Sequence, residues 1–186
     1  MNPTSNKSDF EDLTTNLKDL AYSYLEKYNP SKQQLKVFLL KKYLTKIKGG
    51  KSKREVTSII DQIVTNLEKK KILNDEIYSD SKARMFLRRG YSLNKINQSL
   101  RSKGIDQKYI KQSIDRIKEN KIEPDFVSAL KLCKRRRIGP LRPESNRELF
   151  YKKDMGILAR GGFSFDLSKR VLELDANEFK KLIKIV

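Results

Sequence analysis

Ser52 to Leu67 reads SKREVTSIIDQIVTNL, with Val56, Ile59, Ile60, Ile63, Val64 and Leu67 as its apolar positions. Steps of three and four place all six on one broad face of an α-helix, with the charged residues opposite. Ser52 and Glu55 form a capping box at its start: the hydroxyl accepts from a first-turn N–H while the carboxylate reaches back to the Ser52 N–H. The β-branched residues therefore serve a helical period and not the alternation of a strand. A helix so apolar on one side needs neighbours to cover it, and the fold turns on what the flanking segments supply.

Both flanks supply more helices. Upstream, Leu13, Leu17, Leu20, Ala21, Tyr24, Leu25 and Tyr28 form one pattern, opened by a capping-box pair at Ser8 and Glu11 and stopped by Asn29-Pro30. Ser31 and Gln34 cap the next, built on Leu35, Phe38, Leu39 and Tyr43, which gives way to a polar, glycine-containing loop from Lys46 to Lys51. The tyrosines Tyr22, Tyr24 and Tyr43 belong to this periodicity and read as core or rim residues. Downstream, Tyr78, Ala83, Phe86 and Leu87 stop at Gly90; Ser92, Ile96 and Leu100 stop at Gly104; Ile110, Ile114 and Ile117 stop before Pro124. Asn74 or Asp75 caps the first of these. A third set covers Phe126 to Arg137, Ser145 to Arg160 and Phe165 to Leu174, and a short helix from Asn177 to Ile185 closes the chain.

The three sets correspond. Ala21 and Leu25, Ala83 and Leu87, and Ala129 and Cys133 are equivalent i, i+4 pairs, and Ser31-Leu35-Leu39 matches Ser92-Ile96-Leu100. Leu100, Gly104 and Ile105 have the spacing of Leu158, Gly162 and Phe163. A three-helix unit of this size cannot bury its apolar face alone, whereas stacked units share a continuous core. The expectation is an all-α chain of three tandem three-helix repeats forming an elongated array. Its parts are a tail at 1–9, repeats at 10–75, 76–124 and 125–175, and a C-terminal helix at 176–186.

Composition removes most chemistry. The 186 residues contain no histidine, which excludes Ser-His-Asp and Cys-His nucleophiles, imidazole acid-base catalysis and His-ligated zinc. No phosphate-binding loop or dinucleotide fingerprint occurs; Gly49-Gly50 and Gly161-Gly162 are helix stops. The acidic cluster Asn74, Asp75, Glu76 and Asp80 lacks the central glycine and distal glutamate of a calcium loop. The single cysteine, Cys133, follows Ala129 and Leu130 at helical spacing and suits a core. No run is long and apolar enough for a membrane span, and Met1 to Asp9 has no apolar stretch of signal type. The expectation is a soluble, cytoplasmic, monomeric protein that is not an enzyme, with no catalytic residue, metal or cofactor.

What remains is charge. Lys and Arg number 42 against 23 Asp and Glu, a formal net charge of +19, enough to draw polyanions through the summed field. Lys27 to Arg54 contains 10 cations and no carboxylate, Ser81 to Ile114 contains 9 against Asp106 alone, and Val127 to Arg142 contains 6 against none. Together these stretches hold more than the whole excess. In a stacked array they would align as a positive stripe suited to nucleic acid or a filament containing it. The candidate contacts are Arg84, Arg88, Arg89, Lys95, Arg101, Lys103, Lys134, Arg135, Arg136 and Arg137. Arg88 and Arg89 stand beside Tyr91, and the last four form an unbroken run of a kind suited to phosphates. A cationic helix C-terminus favoured by the macrodipole accounts for one or two charges of that run, not four.

The order of several pieces resembles the RecX family of bacterial recombinase regulators. They are LEKKKILND from Leu67 to Asp75 with Glu76-Ile77-Tyr78, then Ala83, Arg84 and Gly90-x-Ser92, then LRSKGI from Leu100 to Ile105. KRRRIGP from Lys134 to Pro140 and LARGGFSFDL from Leu158 to Leu167 resemble the alphaproteobacterial version. The resemblance covers roughly residues 20 to 175 and implies three repeats in a curved molecule lodged in the groove of a RecA filament on single-stranded DNA. It further implies restraint of RecA ATP hydrolysis, strand exchange and the co-protease activity of the SOS response, within DNA repair and homologous recombination. The lysine-rich insertion around Lys46 to Arg54 departs from the family pattern. Two other readings stay open on the residues alone: a helix-turn-helix DNA-binding regulator built on Ser92 to Ile117, and a scaffold that binds only protein.

Overall fold

The computed structural model describes residues 3–46, 52–119 and 123–185, and every regular element among them is helical. The chain divides into two compact units, Met1–Tyr78 with Lys103–Ile105, and Ser79–Ser102 with Asp106–Val186. No helix among the described residues is long and apolar enough to cross a membrane.

The first unit holds α1 (Pro3–Lys27), α2 (Lys32–Lys46), α3 (Lys53–Lys69) and the opening of α4 (Asp75–Arg88). All six apolar positions of the Ser52 to Leu67 pattern are buried on α3, where they meet Leu13, Leu17 and Ala21 of α1 and Leu35, Leu39 and Tyr43 of α2. Each buried Val, Leu or Ile there contributes roughly 1.5–3 kcal/mol by leaving water. The Ser52 and Glu55 box forms in full, as does the Ser31 and Gln34 box: the Ser31 N–H donates to Gln34 Oε1 at 3.0 Å and the Gln34 N–H to Ser31 Oγ at 3.2 Å.

The pair at Ser8 and Glu11 does not start a helix. α1 begins at Pro3 and Ser8 lies inside it, because a proline at the first helical position needs no N–H partner and presets the backbone. Tyr28 also leaves the expected face, being 58% exposed beyond the last turn of α1. Tyr43 is core; Tyr24 stacks on Phe38 at 3.9 Å, and Tyr22 is a rim residue at 43% exposure. The stretch Ile47 to Lys51, with the expected stop at Gly49-Gly50, lies outside the described residues.

The second unit continues α4 and adds α5 (Leu93–Arg101), α6 (Gln107–Glu119), α7 (Pro124–Arg136), a 3₁₀ turn (Gly139–Leu141), α8 (Glu144–Arg160), α9 (Phe165–Leu172) and α10 (Ala176–Ile185). Phe126, Ala129, Leu130, Leu132 and Cys133 of α7 pack with Leu158, Phe163, Val171, Leu172 and Phe179. Cys133 is fully buried, and burial, with a further push from the negative charge of Asp154, raises its thiol pKa to about 12.

Two helix starts repeat one scheme. In the first unit, Ser31 precedes α2, the Lys32 N–H donates to Asp75 Oδ1 at 2.9 Å, and Gly104 closes against the first turn, where an added Cβ would stand 2.4 Å from Gln33 Cβ. In the second, Ser92 precedes α5, the Leu93 N–H donates to Asp125 Oδ1 at 2.7 Å, and an added Cβ on Gly162 would stand 2.4 Å from Ser92 Oγ. Both glycines have positive φ, 73° and 85°, so contact and backbone together demand glycine. Lys71 and Arg137, at φ 58° and 53°, hold the same left-handed position after α3 and α7 with a side chain.

Candidate functional site

Lys103 belongs to the first unit and the other nine candidate cations to the second. Arg88 and Arg89 are exposed at the end of α4, Arg101 at the end of α5, and Lys134, Arg135, Arg136 and Arg137 at the end of α7. Cations at helix C-termini complement the negative end of the macrodipole, which is the local reason the sequence places them there. Arg84 differs, because its guanidinium pairs with Asp80 at 2.7 Å and Arg116 approaches the same carboxylate at 3.7 Å. Lys103 offers its carbonyl to the Ser31 hydroxyl at 2.7 Å, so its backbone has a structural task.

The second unit brings three of the candidates together. Lys95, Arg135 and Arg136 line an open depression of about 360 Å³ with Arg160, Tyr91, Leu132, Ile157 and Gly161. Its floor is fixed by backbone bonds: the Ser92 N–H donates to the Gly161 carbonyl at 3.2 Å, and Ser92 Oγ accepts from the Lys95 N–H at 3.0 Å. None of the four cations pairs with a carboxylate among the described residues, and no carboxylate is among the lining residues. Four like charges around one concavity repel one another, and an anion seated there relieves that repulsion.

Lys95 stands against the local rule. It occupies the third position of α5 after the Ser92 cap, where a Gln or Glu would close a capping box and where the macrodipole is positive. A cation in that turn costs roughly 0.3–1 kcal/mol. The start of α5 thus forgoes a local preference that the start of α2 satisfies with Gln34.

The turn after α7 is anchored separately. Asp154, 1% exposed, accepts from the Gly139 N–H at 2.9 Å and from Arg142 Nε and Nη2 at 2.6 and 2.7 Å. These bonds hold Arg142 firmly protonated, and its guanidinium lies 4.4 Å from the centre of the Phe150 ring. Arg142 is therefore a structural cation within the third basic stretch. A larger cavity of about 480 Å³ nearby carries both signs, Arg147 and Lys152 against Glu148, Asp154 and Glu173. Arg147 is committed there to the Leu172 and Leu174 carbonyls, and carboxylates stand beside the remaining cation, so this cavity is not an anion surface.

Sequence reasoning missed Arg160 and Tyr91 as site residues. Arg160 sits directly before the Gly161-Gly162 stop, as Arg88 and Arg89 sit before Gly90, and that placement was the available signal. Asp75 and Asp125 were also missed in their joint role. Asn74 caps α4, its Oδ1 accepting from the Glu76 and Ile77 N–H groups at 3.0 and 3.1 Å, while Asp75 reaches back to α2. Burial raises the pKa of both aspartates, against the lowering effect of the backbone N–H each receives.

No family model matches the chain. It is 32% identical over 161 residues to a regulatory protein RecX of Myxococcus xanthus, covering 86% of this chain and 85% of that protein. It is 26% identical over 113 residues to a regulatory protein RecX of Agrobacterium fabrum, covering 61% and 58%. Its fold matches a crystal structure of regulatory protein RecX with a TM-score of 0.59 at 20% identity, over 88% of this chain and 73% of the other. It matches the crystal structure of RecX from Lactobacillus salivarius with 0.57 at 16%, over 95% and 99%. An all-helical chain with this fold, and with nearly a third of its residues shared across most of the Myxococcus protein, belongs to the RecX family of regulatory proteins.

Proposed function

We propose that this chain binds the RecA filament on single-stranded DNA and inhibits its ATPase, strand-exchange and co-protease activities, acting in the cytoplasm as a monomer with no catalysis of its own. The observation that carries this reading is the depression where Lys95, Arg135, Arg136 and Arg160 converge without a carboxylate, a surface matched to phosphates and indifferent to base sequence. Arg88, Arg89, Arg101 and Lys134 extend the positive field, and Arg84 contributes least because Asp80 compensates it. The recurrence of one junction at the starts of α2 and α5 supports the proposed repeats at 10–75, 76–124 and 125–175.

The test is RecA ATPase on single-stranded DNA with the protein titrated in. The expected result is inhibition that weakens as salt rises, each neutralised phosphate adding about 0.7 to the log-log slope. Arg135→Glu with Arg136→Glu relieves the inhibition and lowers the slope. An undiminished effect of that variant removes the assigned surface, and an inert wild-type chain removes the reading.

A further inference from the structure

The depression has an aromatic wall as well as a charged one. Tyr91 is half-buried, its ring parallel to Phe86 with 2° between the planes and 5.3 Å between centroids. Its remaining surface lines the depression beside Lys95, Arg135, Arg136 and Arg160. A ring already stacked on one side and braced by the Gly90 turn is a rigid platform, and rigid platforms take a further flat π-system at low entropic cost. The volume, about 360 Å³, lies within the range of roughly 300–1,000 Å³ typical of small-ligand sites. An acidic side chain would satisfy the cations and leave the ring unused; a nucleotide uses both, since stacking platforms beside cations are how single strands are held without regard to sequence.

We infer that the depression seats one nucleotide of a single strand, its base stacked on Tyr91 and its phosphate held by Lys95, Arg135, Arg136 and Arg160. This rests on the strand-contact part of the function proposed above and adds the class of group recognised. It separates two kinds of residue that a charge count treats alike: the cations set the salt dependence, and Tyr91 reports the base.

The experiment uses the absence of tryptophan from the chain. Full-length Tyr91→Trp is titrated with oligothymidylate, with an abasic oligonucleotide of equal length and charge, with free thymidine monophosphate and with oligoglutamate. At matched occupancy, quenching by oligothymidylate and by thymidine monophosphate, with none from the abasic strand or oligoglutamate, supports the seat. Thymidine monophosphate binding as tightly as oligothymidylate overturns it in favour of a soluble nucleotide, and equal quenching by the abasic strand or by oligoglutamate overturns it in favour of a charge-only contact or an acidic partner. In parallel, Tyr91→Ala weakens oligothymidylate binding about 5- to 150-fold, the span of one base–aromatic stack. Its affinity for the abasic strand stays within about twofold, because the phosphate contacts remain. Tyr91→Phe retains wild-type affinity because the ring and not the hydroxyl is used, and unchanged abasic binding shows that the alanine variant is folded. Equal weakening on both strands, or on neither, overturns the inference. A wild-type chain that binds no single strand also overturns it, while inhibition of RecA ATPase by that same chain would leave the regulatory reading standing.

Discussion

The starts of α2 and α5 use the same backbone plan and end in opposite states. Each has a serine cap, an aspartate from the opening of a later helix on the first N–H, and a glycine closed against the first turn. At α2 the third position is Gln34, whose Oε1 accepts from the Ser31 N–H and from the Tyr78 hydroxyl at 2.9 Å. The nearby cations are paired, Lys32 with Glu68 at 2.8 Å and Lys36 with Asp61 at 2.7 Å. At α5 the third position is Lys95, and the cations around it have no carboxylate. The first joint is closed chemically as well as sterically. The second keeps the steric closure and leaves an unbalanced positive charge, so the same scaffold is charge-balanced at one joint and open to an anion at the other.

The largest expected effect within the second unit is in the turn after α7. Asp154→Ala leaves the Gly139 N–H and the partly exposed Arg142 guanidinium without their partner, and the expected loss is about 3 kcal/mol, the upper end for an unsatisfied buried group, read as a lower urea midpoint. Asp75→Ala and Asp125→Ala each remove the acceptor of one helix start, at about 1–3 kcal/mol. Similar losses in the two variants would show the joints to be energetically equivalent, and a negligible loss in one would separate them.

Exchanging the third positions sharpens the contrast. Lys95→Gln is expected to stabilise the protein by roughly 0.3–1 kcal/mol through a restored capping preference, while weakening single-strand binding and its salt dependence. Gln34→Lys loses two hydrogen bonds and is expected to destabilise by about 1–2 kcal/mol with no change in strand affinity. Stability and binding moving together in Lys95→Gln would contradict the assignment of Lys95 to function.

The smallest effect is on pH. Burial raises the folded pKa of Asp75 and Asp125, so the folded state holds their protons more tightly than the unfolded state does. Their contribution is fully present below the ordinary carboxylate pKa and is lost as pH rises through the raised folded value. Wild type should therefore lose stability relative to Asp125→Asn across that acid window and run parallel to it above. Thermal midpoints of the pair, measured at matched ionic strength, give the difference directly.

Local signals read well from sequence because their partners are three or four residues apart. The Ser31 and Ser52 boxes, the Gly90 and Gly162 stops and the six apolar positions of α3 all stand where their spacing puts them. The Ser8 and Glu11 pair failed because Pro3 supplied an earlier start. Residues whose roles depend on distant segments were less legible. Asp125 reaches α5 across 32 residues. Arg160 belongs to a helix of mixed charge, so no count of basic stretches could single it out, and only the fold carries it to Arg135 and Arg136. Arg84 and Arg142 counted as free charge in the linear tally, yet Asp80 and Asp154 hold them.

The closed state of Cys133 has a consequence for how the molecule behaves among oxidants. Its one thiol, buried and held protonated far above neutral pH, offers almost no thiolate, and thiolate is the form that peroxides, disulfides and maleimides attack. The thiol of the folded chain thus stays out of thiol–disulfide exchange. A cysteine introduced at an exposed position such as Arg89 or Arg101 would be the single address on the surface for a cross-linker or a spectroscopic label.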